Sequence, residues 1–209
     1  MNLAEPCDLV ISGSTAAVLR VLIGAETSFS IRKTARIADI SVPQAMRVLN
    51  HLSDRGLVLV EQAGRSRMCR FNRGHLASNA VVDLITLRTR IINAIGDEIS
   101  TWTLKPLHSS LFGSAARKDG GVESDLDVLI VRADKVLENQ WEEQKYVSGL
   151  NVREKTGNAV SWFDISLAEL KSAKAAAEPI FTEWEREGIT LTQPPLLKLL
   201  NDSKKAALK

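Results

Sequence analysis

Residues 111–131, LFGSAARKDGGVESDLDVLIV, constrain the chain more than any other stretch. Two apolar runs flank a turn. Residues 108–112 predict a short buried strand, 114–118 the first turn of a helix, and 126–131 a second buried strand. Side chains alternate across a strand, so Asp125 and Asp127 share one face while Leu126 and Val128 point to the core. Two carboxylates held that close repel each other, and a hard divalent cation between them relieves the repulsion. Carboxylate together with substrate phosphate is the usual surrounding of Mg²⁺. Gly113 lets a ligand approach the backbone, and Ser114 opens a helix whose free N–H groups favour a phosphate. A strand that merely follows a turn explains one Asp at its boundary better than two flanking a core-facing Leu.

The N-terminal part reads differently. Residues 14–25 predict a helix with Ser14 as N-cap, and a shorter helix capped by Ser30 follows, with Ile31, Ala35 and Ala38 inward. Ser41-Val42-Pro43-Gln44 fits a capping box with Pro in the first turn. Ala45, Val48, Leu49 and Leu52 then give the third helix an inner stripe until Gly56 stops it. Residues 57–62 and 68–72 predict a hairpin with a basic tip. Three helices and a hairpin resemble the winged helix-turn-helix domain of transcription regulators. That resemblance implies DNA as partner, with Gln44, Arg47 and His51 aimed at base edges from the third helix, and Arg65 and Arg67 on the backbone. Charge agrees in sign but is modest: residues 1–75 hold ten Lys and Arg against six Asp and Glu, within a chain of net charge +2. Winged helices also serve as protein-docking modules, and a basic hairpin tip is often only a solvated turn.

Residues 76–102, interrupted by Gly96, carry a continuous apolar stripe (Val81, Leu84, Leu87, Ile91, Ile92, Ile95) and predict one long connecting helix. Its face is wide enough to pack on one domain and seat a partner, so a homodimer is among the assemblies it allows. Beyond the Gly-Ser stretch, residues 135–156 predict a helix, 160–166 a third strand, and 167–187 helix broken at Pro179. The aromatic residues Trp141, Tyr146, Trp162, Phe163, Phe181 and Trp184 read as core, with base stacking as the alternative. The tail at 201–209 is expected to fray. The fold class is thus α+β: a winged helix over 1–75, a connecting helix over 76–105, and over 106–209 a small mixed sheet flanked by helices. No stretch is long and apolar enough to span a membrane, and the N-terminus lacks a basic-then-apolar leader pattern. A cytoplasmic location is therefore expected, with Cys7 and Cys69 as inert thiols.

An apolar residue, Gly-Ser, ten intervening residues and then Asp-apolar-Asp-apolar resembles the signature of the DNA polymerase beta nucleotidyltransferase superfamily. GSAAR with SDLDVLIV is similar to its small minimal domains. Lys118 departs from the pattern, standing where many relatives carry Gly. The resemblance implies transfer of a nucleoside monophosphate from a nucleoside triphosphate such as ATP, with Mg²⁺ as cofactor and Mn²⁺ as a substitute. It implies Asp125 and Asp127 as metal ligands, and a third carboxylate on a later strand as ligand or base. Asp164 is the one acid in the predicted third strand. Gly113 and Ser114 would hold the β- and γ-phosphates, and Arg117 and Lys118 would neutralise phosphate charge. The acceptor hydroxyl, on protein, RNA or a small molecule, is left open. Two other readings stand beside it: a transcription regulator that senses a nucleotide without turnover, and an antitoxin-like module that binds a partner protein.

Overall fold

The computed structural model describes residues 2–121 and 123–207. The chain divides into two compact units, Glu5–Leu87 and Arg88–Lys209 with Met1–Ala4.

The first unit is a winged helix. Helices α1 (Gly13–Ile23), α2 (Ile31–Ile37) and α3 (Val42–Asp54) pack with strands β1 (Phe29–Ser30), β2 (Val58–Ala63) and β3 (Ser66–Phe71), and α4 (Ser78–Ile85) follows. The strands form an antiparallel sheet in the order β1-β3-β2. Local chemistry sets these boundaries. Ser30 Oγ accepts the Lys33 N–H and Ser41 Oγ accepts the Gln44 N–H, so both expected caps form, although α3 has only this half of the predicted box. Ser12, not Ser14, takes the cap position of α1. At the end of α3, Gly56 turns at φ 75° while its N–H reaches Ser53 O and that of Leu57 reaches Leu52 O, the paired bonds of a Schellman stop. Val18, Leu19, Leu22, Leu49, Leu52, Val58, Cys69 and Phe71 form the core, and Val81, Val82 and Ile85 of α4 pack on it. Both cysteines are free and buried.

The predicted connector is two helices rather than one. α4 ends at Ile85, and α5 (Leu87–Ser100) begins after Thr86, whose N–H and Oγ1 both bond to Val82 O at 2.9 and 2.8 Å. A threonine hydroxyl that takes the i−4 carbonyl competes with the helix's own ladder. Gly96 does not interrupt α5. A Cβ there would stand 2.8 Å from Leu191 O, so the glycine permits a close approach instead. Ile91, Ile92 and Ile95, the stripe's C-terminal half, are buried within the second unit, as is Ile99 beyond it.

That unit contains α5, β4 (His108–Phe112), α6 (Gly113–Arg117), β5 (Leu126–Arg132), α7 (Glu138–Thr156), β6 (Val160–Ser166), α8 (Leu167–Ala175), α9 (Pro179–Glu187), β7 (Ile189–Thr192) and α10 (Leu196–Ala207). Its sheet runs β6-β5-β4-β7, with β5 and β6 parallel across the α7 crossover and the other pairs antiparallel. Trp102 and Trp141 pack edge-on, and Trp102 also meets Trp162, on one face of the sheet. On the other face Phe112, Leu129 and Val131 join Leu170, Phe181, Trp184, Leu196 and Leu200 from α8, α9 and α10. Ser166 and Glu169 form a reciprocal capping box at the start of α8, and Pro179 opens α9, as its fixed φ favours. Strand β7, four residues at the sheet edge, has no counterpart among the strands expected from the sequence. α10 carries helix through Ala207 into the tail expected to fray, while residues 208–209 lie outside the described part. Two of the aromatic residues read as core are exposed: Tyr146 on α7 and, in part, Phe163 on β6.

Candidate active site

Every residue of β4 is buried, and the strand lies inside the sheet between β5 and β7, a fixed neighbour against which β5 is registered. That register sets Phe112 opposite Asp127, so the chain leaving β4 turns at Gly113 directly beside the Asp127 side chain. Gly113 has φ 66°, and a Cβ built on it would overlap Asp127 Oδ2, with Asp127 Cγ at 3.1 Å. Only glycine fits this cradle. Leu126 and Val128 are fully buried, whereas Asp127 is half-buried and Asp125 exposed, in the alternation expected of a strand with one face in the core. The Asp127 carboxyl is pushed above the usual range, first by burial and then by the charge of Asp125, with Arg117 opposing. Two oxygen donors of like charge at the mouth of a glycine cradle suit a hard divalent cation, and Asp125 and Asp127 are the residues that would hold it.

The surroundings hold this pair in place. Ser161 of β6 lies opposite Asp127 in the parallel register, and its hydroxyl donates to Asp125 Oδ2 at 3.3 Å. Asn158 Nδ2 donates to Ser124 O at 2.9 Å, fixing the residue before Asp125. A cavity of about 150 Å³ opens there, lined by Glu123, Ser124, Asp125, Arg153 and Asn158. The loop between α6 and β5 folds back on Ser114: a Cβ at Gly120 would stand 2.8 Å from Ser114 Oγ and 3.2 Å from Ser124 Oγ. Ser124 Oγ also accepts the Gly121 N–H at 2.8 Å. Arg88 of α5 donates to the carbonyls of Ala115 and Ala116 and so anchors α6. Nothing in the sequence pattern singles out Ser161, Asn158, Ser124 or Arg88. The Gly120-Gly121 pair inside the motif is the one visible signal that its loop turns sharply.

The remaining candidates divide. Arg117 is held by Asp119 (2.9 Å) and Glu187 (2.7 Å), with its charge still felt at Asp127. Lys118 ends α6 in the left-handed region at φ 68°, ψ 31°. This is the conformation that favours glycine, and Lys118 is the position where the motif departs from one.

Asp164 is a correction. It pairs with Ile130, three residues along β6 from Ser161 and hence on the opposite face of the sheet from Asp127. There it accepts hydrogen bonds from Trp141 Nε1 (2.6 Å) and Lys145 Nζ (2.7 Å), with Arg132 Nε 3.2 Å from its other oxygen. It is a partly buried ion-pair anchor for α7 and does not join the Asp125–Asp127 pair.

Residues 102–157 match the family model of the nucleotidyltransferase domain. That segment is similar to a nucleotidyltransferase domain. The matched segment takes in the Gly113-Ser114 turn, both aspartates and all of α7, and ends before Ser161 and Asp164. No curated protein matches the chain. Among solved structures, a MarR-family transcriptional regulator from Silicibacter pomeroyi shares 25% identity at a TM-score of 0.36, covering 43% of this chain. The chain spans 60% of that regulator's length.

In the winged helix, Arg47 and His51 are exposed on α3, with His51 Nδ1 3.1 Å from Arg55 Nη1, while Gln44 is half-buried. Arg65 sits at the hairpin tip, where Gly64 supplies φ 58°. Arg67 is exposed and reaches across to Asn50 Oδ1 of α3 at 3.1 Å. A groove of about 460 Å³ runs between the hairpin and the start of α3, lined by Arg32, Arg65 and Arg67 together with Ile31, Val42 and Met46. Among the described residues no helix is long and apolar enough to cross a membrane.

Proposed function

We propose that the nucleotidyltransferase domain binds a nucleoside triphosphate with Mg²⁺ at Asp125 and Asp127 and transfers its nucleoside monophosphate to an acceptor hydroxyl, and that the winged helix carries the chain to DNA. One observation carries this reading. Asp127 is pressed against Gly113, with Asp125 beside it, so a phosphate chain lying on the turn reaches both carboxylates at once. When bound, the ion supplies the positive charge that offsets the triphosphate and the charge developing as pyrophosphate leaves.

The chain's own residues do the rest. Gly113 admits the phosphates to the backbone, and Ser114 offers a hydroxyl that Gly120 leaves uncovered by any side chain of its own. Arg117 adds charge next to Asp127 while Asp119 and Glu187 fix its direction. Phe163 shares the sheet face of Ser161 and presents a partly exposed ring, on which a base can stack. On the winged helix, Arg47 and His51 read bases and Arg32, Arg65 and Arg67 hold phosphates on either side of the groove.

The test is incubation of the full chain with Mg²⁺ and each α-labelled nucleoside triphosphate, with and without cell extract. Label that moves to protein, RNA or a small molecule, and stops moving in Asp125→Ala and Asp127→Ala, supports transfer. A second reading, a nucleotide-sensing regulator without turnover, is favoured by the absence of Asp164 from the site. It predicts a nucleotide-dependent rise in melting temperature with no label transferred.

A further inference from the structure

Strand β6 forms one side of the site. Parallel pairing aligns Ser161 with Asp127 and Phe163 with Leu129, so these residues share the aspartates' face, while Trp162 and Asp164 point to the other. From β6, Ser161 touches the pair, through its hydroxyl on Asp125 Oδ2. The nearby acids are committed elsewhere: Asp119 and Glu187 to Arg117, and Asp164 to Trp141, Lys145 and Arg132. Glu123 is exposed in the loop before Asp125 and lines the small cavity beside it. Two carboxylates suffice to share one divalent ion with a triphosphate. A second ion beside the first needs a further anionic ligand on the β6 side, because two like charges roughly 3.5–4 Å apart require bridging carboxylates.

We propose that this site takes one divalent cation per bound nucleotide, and that Ser161 acts as a positioning residue, its hydroxyl aiming Asp125 from the place where a second cation would need a carboxylate. The inference rests on the nucleotide-binding reading above.

Equilibrium dialysis of the full chain tests it, with Mn²⁺ and the α,β-methylene analogues of the four ribonucleoside triphosphates, counting ions and nucleotides retained. One Mn²⁺ per retained nucleotide is expected. Ser161→Asp is expected to raise the ratio to two. Ser161→Ala should weaken Mn²⁺ retention about tenfold, as loss of a partner behind a metal ligand does, and Ser161→Thr, which keeps the hydroxyl, should retain it. Glu123→Gln should leave the ratio at one. Two ions per nucleotide in the unmodified chain, or a ratio that stays at one in a folded Ser161→Asp variant, would overturn the one-cation site while leaving nucleotide binding intact. Unchanged retention in Ser161→Ala removes the positioning role. Failure to retain any nucleotide with Mn²⁺ brings down the underlying reading and this inference with it.

Discussion

Asp127 rests directly against Gly113, with no room between them for even a methyl group. One residue at the start of α6, just after β4, and one in β5 thus define both walls of the candidate site.

Gly113→Ala tests this contact. The added Cβ must displace the Asp127 carboxylate, and φ 66° lies in the left-handed region, where a non-glycine residue costs about 1–3 kcal/mol. The expected outcome is a lowered melting temperature and loss of Mg²⁺-dependent nucleotide binding, read by thermal denaturation and calorimetry. Unchanged nucleotide affinity would separate the turn from the site.

Asp127 gives a pH signature. Its carboxyl is raised in the folded chain, so the folded state binds its proton more readily than the unfolded state does. The metal-free domain therefore bears a penalty at neutral pH that is relieved as pH falls through the folded value toward the ordinary carboxylate range near 4. Asp127→Asn removes the burial cost of the charge and the repulsion from Asp125. Compared with the parent without divalent cation, the variant is expected to be more stable at pH 7, with the difference shrinking toward pH 4. It is also expected to lose any stabilisation by Mg²⁺. Denaturant titrations at both pH values measure this; a variant less stable than the parent at pH 7 would count against the charge clash.

Asp164→Asn should act on stability and leave the nucleotide site alone. The change keeps the shape but removes the charge that Lys145 and Arg132 face, in a site where Lys145 and Asp164 side chains are only 11% and 14% exposed. Breaking such a pair is expected to cost about 3 kcal/mol, the lower end of the range for buried pairs, because this site is partly solvated. Denaturation midpoints and Mn²⁺–nucleotide retention measured on the same preparation separate the two effects. Loss of retention in a fully folded variant would return Asp164 to the site.

Arg65 and Arg47 sort the winged-helix contacts. Arg65 at the hairpin tip is expected to contribute about one unit to the salt dependence of DNA binding, so Arg65→Ala should weaken all sequences alike and flatten the slope. Arg47→Ala should change sequence preference as well as affinity. Fluorescence anisotropy over a salt series measures both, and absence of any salt-dependent association in the parent chain would remove DNA from the proposal.

The division between what was legible and what was not follows the range of the forces involved. Caps at Ser30 and Ser41, the stop at Gly56 and the Pro179 start depend on bonds within a few residues, so they can be read from the local sequence alone. Thr86 shows the limit even of local reading. The apolar stripe runs on through it, but its hydroxyl takes Val82 O and the helix ends there.

The sequence by itself determined the Gly113-Ser114 turn, the pairing of Asp125 with Asp127 on one face, and the alternation that buries Leu126 and Val128. These follow from the two-residue period of a strand and the conformational freedom of glycine. Only the tertiary structure decided which residue of β6 meets the aspartates. Register between strands distant in sequence is set by the packing of α7 and the core on either side, and a shift of one residue exchanges the two faces. Packing placed Ser161 beside Asp125 and turned Asp164 to Trp141 and Lys145.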